Sequence, residues 1–247
     1  MFRIPRLTFL TALLGIVLAG CAGPRVGGPK VSVTRDEWGH RPGARGFSTV
    51  IIDAGHGGRD SGATSATTGQ MEKDLSLDMV RRVRAELAGS VKTVLTRNSD
   101  ATCELDDRVD AVNRHSDAIL VSIHFNSGPS HVAGPEVYYW RVDSYTLGKR
   151  ILSSLSNVAP EQHSSRGLVR RRLRLTRNPD LACVLVECGY LSNPTEARRI
   201  TSADYRARLA KAIANGILRQ RAEGDGQLGP LPQPLYEPPS KATDPRE

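Results

Sequence analysis

Three short runs of nearly uninterrupted aliphatic residues constrain this chain more than any other feature. They are Val50-Ile51-Ile52, Ala118-Ile119-Leu120-Val121-Ser122-Ile123 and Cys183-Val184-Leu185-Val186. Successive side chains of a strand point to opposite faces, so a run that is apolar throughout belongs to a strand covered on both sides. The segments between these runs have helical spacing. Leu77, Val80, Val83 and Leu87 share one face of a helix over residues 73–88, which Gly89 ends. A second helix runs from a cap at Asp106 to about His115, with Val109 and Val112 inward. Leu147, Ile151, Leu155 and Val158 mark a third, and Tyr205, Leu209, Ile213 and Ile217 a last one. Further strands are expected over residues 91–95 and 136–140. This alternation predicts a single α/β domain: a mostly parallel twisted sheet with helices on both faces.

The flanks have a different character. Arg3 and Arg6 precede an apolar run over residues 7–18, which ends in Leu18-Ala19-Gly20-Cys21. The run is too short for a stable membrane span and reads as a secretory signal. The tetrapeptide is similar to the bacterial lipobox, which implies lipidation of Cys21 after removal of residues 1–20. Residues 21–46 read as a tether and residues 47–221 as the folded domain. Residues 222–247, with six Pro, read as a disordered tail. The expected location is exported and lipid-anchored. In a cell with two membranes that is the periplasmic face of the outer one, and otherwise the outer face of the cell membrane.

Each buried run leads into ionisable chemistry. Ile52 is followed by Asp53-Ala54-Gly55-His56-Gly57-Gly58, Ile123 by His124 and then Asn126, and Val186 by Glu187. Ligands of open α/β sheets bind outside the carboxyl ends of the strands, so the three termini define a candidate site. Two neutral imidazoles suit Zn²⁺, and a catalytic zinc takes three protein ligands with one open position. Glu72, at the start of the first helix, is the candidate third ligand beside His56 and His124. A helix-dipole carboxylate is the other reading of Glu72.

These residues bring a family into view. Residues 50–63, VIIDAGHGGRDSGA, and Gly69-Gln70-Met71-Glu72-Lys73-Asp74-Leu75 closely resemble the opening of zinc-dependent N-acetylmuramoyl-L-alanine amidases. The likeness continues through Leu95-Thr96-Arg97, Asp107-Arg108-Val109 with Asn113, residues 121–126 (VSIHFN), Arg166-Gly167-Leu168 and residues 184–193 (VLVECGYLSN). The blocks come in the family's order, and Ala54 stands where many members carry Pro. The resemblance implies that His56, Glu72 and His124 ligate zinc and that Glu187 is the catalytic carboxylate. It also implies hydrolysis of the amide between N-acetylmuramic acid and L-alanine in peptidoglycan. A catalytically silent wall-binding or regulatory lipoprotein on the same scaffold is the alternative, and the Glu at position 187 argues against it.

Other residues are assigned more narrowly. Asp53 either hydrogen-bonds a ligating imidazole from behind or shapes the turn, and Asn126 either orients substrate or caps one. Arg170, Arg171, Arg172 and Arg174 read as a solvated edge, with contact to anionic wall polymer as the alternative. After lipidation of Cys21 three cysteines are left: Cys103, Cys183 and Cys188. Three is odd, so at most one disulfide forms; Cys183 and Cys188 lie on opposite strand faces and make poor partners, Cys103 could pair with either, and three buried thiols are the equal alternative. The chain carries 28 Arg and 6 Lys, and its net charge of +8 fits an anionic partner. The export signal and the lack of aromatics interleaved with basic residues argue against nucleic acid. Peptidoglycan and a membrane reached through the lipid are the expected partners, a protein activator is left unassigned, and the chain is expected to be a monomer.

Overall fold

In the computed structural model, which describes residues 43–159, 164–226, 228–233 and 235, six strands form one mixed sheet. They are β1 (Thr49–Ala54), β2 (Lys92–Leu95), β3 (Ala118–Asn126), β4 (Glu136–Tyr139), β5 (Leu168–Arg170) and β6 (Cys183–Tyr190), in the order β2-β1-β3-β6-β4-β5. Strands β2, β1, β3 and β6 run parallel, β4 is antiparallel to β6, and β5 is parallel to β4. The helices are α1 (Glu72–Glu86), α2 (Leu105–Asn113), α3 (Val142–Ser156), α4 (Arg174–Arg177), α5 (Pro194–Ile200) and α6 (Ala203–Glu223). This is the α/β domain expected from the sequence. Among the described residues no helix is long and apolar enough to cross a membrane.

The two faces of the sheet are not equivalent, and this asymmetry places the site. One face carries Val50, Ile52 and Ala54 of β1, Ile119, Val121, Ile123 and Phe125 of β3, and Val184, Val186 and Cys188 of β6. It is apolar along its whole length and packs on α1, α3 and α6. The other face begins apolar, with Ile51, Leu120 and Cys183 under Val109 and Val112 of α2 and Leu175 of α4. Further along the same period-2 series come Asp53, Ser122 and His124, and on β6, past Leu185, Glu187. The strands therefore do not stop at these groups. β3 continues to Asn126 and β6 to Tyr190, and the polar residues are the distal half of a face whose proximal half is core.

Local sequence explains where two of the helices start. Ser202 accepts from the Tyr205 amide at the start of α6, and Asn193 accepts from the Thr195 and Glu196 amides at the start of α5, with Pro194 as its first helical residue. Helix α2 starts after Glu104 without a side-chain cap, so Asp106 lies inside its first turn and does not cap it. β5, α4 and α5 are too short to show a period in the sequence.

The packed unit is wider than residues 47–221. Helix α6 runs to Glu223, and Asp225 accepts from the Gly43 amide at 2.6 Å and from Thr146 Oγ1 at 2.7 Å. The buried Arg150 pairs with Glu223 at 2.7 Å and donates to the carbonyls of Gly224 and Gly226 at 3.0 and 2.9 Å. The flanking segment is ordered by satisfying a buried cation, which leaves no mark on hydropathy. Cys21 and residues 21–42 of the tether lie outside the described residues, as do His40, His163 and Trp38.

Candidate metal centre

The site begins with the chain leaving β1. His56 has φ 58°, a left-handed backbone uncommon for a residue with a side chain. Two buried arginines hold it there. Arg97 donates to the Ala54 and Gly55 carbonyls at 3.1 and 2.7 Å, and Arg108 donates to the Ala54 and His56 carbonyls at 2.5 and 2.6 Å. Gly55 is required by close approach: a Cβ there would lie 2.4 Å from the His124 ring. Gly62, at φ +62°, is required on both counts, since its Cβ would meet Glu72 Oε2 and the His56 ring, each at 2.6 Å.

Glu72 opens α1 and is clasped by Ala63. Its amide donates to the Ala63 carbonyl at 2.8 Å, and its Oε2 accepts from the Ala63 amide at 2.9 Å. That leaves Oε1 facing the sheet. His56 Nε2 lies 3.0 Å from this oxygen and His124 Nδ1 2.8 Å from it, and the two rings meet edge-on with centroids 5.0 Å apart. One donor atom from each of the three side chains lies within 4.8 Å of the others. The three residues singled out in the sequence are thus brought together. Burial alone would raise the Glu72 carboxyl, but the two imidazoles outweigh it and hold it well below the usual carboxylate range. Burial opposes the charge on His56 too, and Glu72 and Asp60 more than offset it, raising that ring above its ordinary value.

Glu187 is the register partner of His124 on the neighbouring strand, so both side chains share the polar half-face. Its pKa is raised well above the ordinary carboxyl, first by burial and then by the charges of Glu72 and Glu136. Its Oε2 is buried with no hydrogen-bond partner among the described residues.

The family comparison bears directly on this arrangement. The model of the family described as N-acetylmuramoyl-L-alanine amidase (Amidase_3) matches residues 50–219, which runs from β1 through most of α6. The chain belongs to the N-acetylmuramoyl-L-alanine amidase family. It is accordingly an enzyme of that amidase class. It is similar to the catalytic domain of CwlV, an N-acetylmuramoyl-L-alanine amidase from Bacillus (Paenibacillus) polymyxa var. colistinus. Identity is 33%, the TM-score is 0.66, and the match covers 70% of this chain and 97% of that one. It is 28% identical to the N-acetylmuramoyl-L-alanine amidase AmiA of Escherichia coli K12, over 85% of this chain and 91% of that protein. It is 32% identical to the probable cell wall amidase LytH of Staphylococcus epidermidis over 68% of this chain, a match spanning 57% of that protein's length.

Several groups at this amidase-family site were not singled out in the sequence. Asp60 Oδ2 accepts from His56 Nδ1 at 2.8 Å, four residues after the ligand candidate in the same Gly-rich loop. Ser122, two residues before His124 and on its face, bridges to Asp53. Asp53 therefore touches neither imidazole directly. It is fully buried and accepts from Arg108 at 2.6 Å, Ser122 at 2.6 Å and Thr96 at 2.5 Å. Burial raises its pKa, but Arg108 and the two hydroxyls outweigh this and hold the group as a carboxylate.

Asn126 Oδ1 accepts from the Ser127 amide at 2.8 Å, and its amide nitrogen reaches Glu136 and the Tyr138 hydroxyl at 3.3 and 3.1 Å. The arginine cluster is not a solvated edge throughout. The Arg170 guanidinium lies over the Trp140 ring, that of Arg171 over Tyr138, and Arg174 pairs with Asp106. Cys183 and Cys188 are free thiols, buried on opposite faces of the sheet.

Proposed function

We propose that the chain is a zinc-dependent hydrolase that cuts the amide between N-acetylmuramic acid and the L-alanine of the stem peptide in peptidoglycan. The observation that carries this reading is the convergence of His56 Nε2 and His124 Nδ1 on one oxygen of Glu72, beside Glu187. Two imidazole nitrogens and a carboxylate are a donor set that zinc accepts, and such a set leaves a coordination position for substrate or water. His56, Glu72 and His124 would hold the ion. When bound, it supplies a Lewis acid that polarises the scissile carbonyl and lowers the pKa of water toward about 7.

The remaining chemistry belongs to side chains of this chain. Glu187, as carboxylate, takes a proton from the attacking water. As carboxylic acid, it delivers that proton to the leaving amine nitrogen. Burial and neighbouring carboxylates raise its proton affinity, which suits delivery to the amine; a bound dication would favour the carboxylate that accepts the proton, and its unpaired oxygen is available for the transfer. Arg97 and Arg108 keep the His56 loop in a conformation that it would not adopt unaided.

Lipidation at Cys21 would place the enzyme on an exported membrane surface facing the wall. That surface is the periplasmic face of an outer membrane where one exists, and otherwise the outer face of the cell membrane. There the chain would act as a monomer on peptidoglycan. Removal of residues 1–20 with Arg3 and Arg6 leaves a side-chain charge of +6, which suits an anionic wall.

Digestion of purified sacculi tests the reading. Protein loaded with zinc is expected to release new L-alanine amino termini, and chelation is expected to stop that release until zinc is restored. No release under any condition would overturn the amidase assignment. Release that survives chelation would overturn the metal.

A further inference from the structure

Two arginines lie on the far side of Glu187 from the imidazoles, and only one of them is balanced by a carboxylate. In the sheet, β1 leads into His56 and β3 carries His124, β6 carries Glu187, and β4 and β5 lie beyond. Glu136 is the register partner of Glu187 and Tyr138 that of Leu185, so both belong to the face that carries Glu187. From either end of β5, the guanidinium groups of Arg166 and Arg171 come within 5.6 and 5.4 Å of the Tyr138 ring centroid. Arg166 donates to the buried Glu136 at 3.1 Å and to the Tyr138 hydroxyl at 2.9 Å, so its charge is answered. Arg171 meets the ring face instead. Among the described residues its guanidinium has no carboxylate partner. Both charges act on Glu187, Arg171 more than Arg166, which places them within electrostatic reach of that carboxyl.

We infer that Arg171, with Arg166 beside it, forms a subsite for a free carboxylate of the stem peptide, on the residue next to the leaving L-alanine. This rests on the amidase reading and names the peptide which that site prefers. The direction follows from Glu187. It hands its proton to the leaving amine, so the peptide beyond that nitrogen has β4 and β5 in front of it and the imidazoles behind. Neighbouring strands are about 4.8 Å apart and an extended peptide advances about 3.4 Å per residue, so the second residue of the leaving peptide falls over Tyr138. There the ring is a flat floor, and Arg171 offers the planar fork of donors that a carboxylate takes. A carboxamide in that place has neither the charge nor two acceptor oxygens.

Arg166→Gln would strand the buried Glu136, so Arg171 carries the test. Sacculi are digested before and after their carboxylates are converted to carboxamides with carbodiimide and ammonium, and release of L-alanine amino termini is timed. Wild type is expected to cut native sacculi about 10–100-fold faster than amidated ones, the range that a charge-assisted hydrogen bond supports. Arg171→Gln is expected to cut both at the slow rate, and Arg171→Lys to recover part of the preference. Equal losses on both substrates in Arg171→Gln would overturn the proposal, since Arg171 would then act on Glu187 alone. So would a wild type without preference.

A binding readout stands apart from catalysis. Arginine side chains are labelled with ¹⁵N, and the Arg171 Nε–H signal is identified by its loss in Arg171→Gln. The tripeptide L-alanyl-γ-D-glutamyl-L-lysinamide is expected to shift that signal saturably, and its D-isoglutamine counterpart to need about tenfold more peptide or beyond. An equal response to the two, or none at millimolar concentration, would overturn the subsite. If wild type released nothing from either sacculus, the amidase reading would fall, and the titration would still decide the role of Arg171.

Discussion

Glu136 and Glu187 are register partners across β4 and β6, both buried, and their surroundings are opposite. Glu136 accepts from the hydroxyls of Tyr138 and Tyr190, each at 2.6 Å, and from the Arg166 guanidinium at 3.1 Å. Burial would raise its pKa, but Arg166 and the two tyrosines bring it below the ordinary value. The cost appears on the phenols: burial and the Glu136 carboxylate push Tyr138 up to about 12. Glu187 has one buried oxygen without a hydrogen-bond partner and two carboxylates as neighbours. Adjacent carboxyls with pKa values driven apart have separate roles: one stays charged and structural while the other exchanges its proton.

Replacing Glu187 by Gln is therefore expected to stop hydrolysis while zinc content stays stoichiometric by elemental analysis. The same change is expected to stabilise the metal-free fold at neutral pH. The Glu187 carboxyl is raised above 4.5, so the folded state binds more protons than the unfolded one. Stability is full below that value and is lost as pH rises through the raised folded pKa. Urea unfolding of metal-free wild type and variant should converge near pH 4 and separate toward pH 8, with the variant the more stable. A wild type equal to or more stable than the variant at pH 8 would contradict the burial argument.

His56→Ala should abolish both zinc binding and sacculus digestion, because one of three converging donors is gone. Zinc affinity measured against a chelating dye is the discriminating readout. Tight binding in the variant would mean that the ion sits elsewhere.

Arg108→Met should destabilise the fold by about 3–5 kcal/mol, the usual consequence of leaving a buried carboxylate without its cation. Arg108 is 3% exposed and Asp53 fully buried, so solvent cannot replace the lost partner. The His56 loop loses a donor at the same time. Chemical denaturation gives the energy, and a loss under about 1 kcal/mol would show that Arg97 alone suffices.

Gly55→Ala is a small change with a disproportionate expected effect. The added methyl would lie 2.4 Å from the His124 ring, closer than real contacts allow. The ring must move away from Glu72, so zinc affinity should fall by at least tenfold while circular dichroism stays native. Unaltered affinity would mean that the backbone yields instead of the ring.

Much of this was legible in the chain. Apolar runs such as Val184-Leu185-Val186 reported strands covered on both faces, and four-residue repeats such as Leu209, Ile213 and Ile217 reported the helices on them. The histidines and Glu187 stood out because an ionisable group directly after a buried run is costly without a use. Strand register was not legible. Without it nothing showed that Ser122 lies between Asp53 and His124, or that Glu136 faces Glu187. Nothing in the sequence showed that Arg97, Arg108 and Arg150 are buried, because composition counts a guanidinium the same whether water or backbone carbonyls surround it. The segment beyond residue 221 was missed for the same reason.

The contact between Gly43 and Asp225 joins the segment before β1 to the segment after α6. A Cβ at Gly43 would overlap the Asp225 carboxylate at 2.0 Å, so the junction closes only with that residue absent a side chain. A unit whose flanking segments meet can be inserted into a host loop without reshaping its interior.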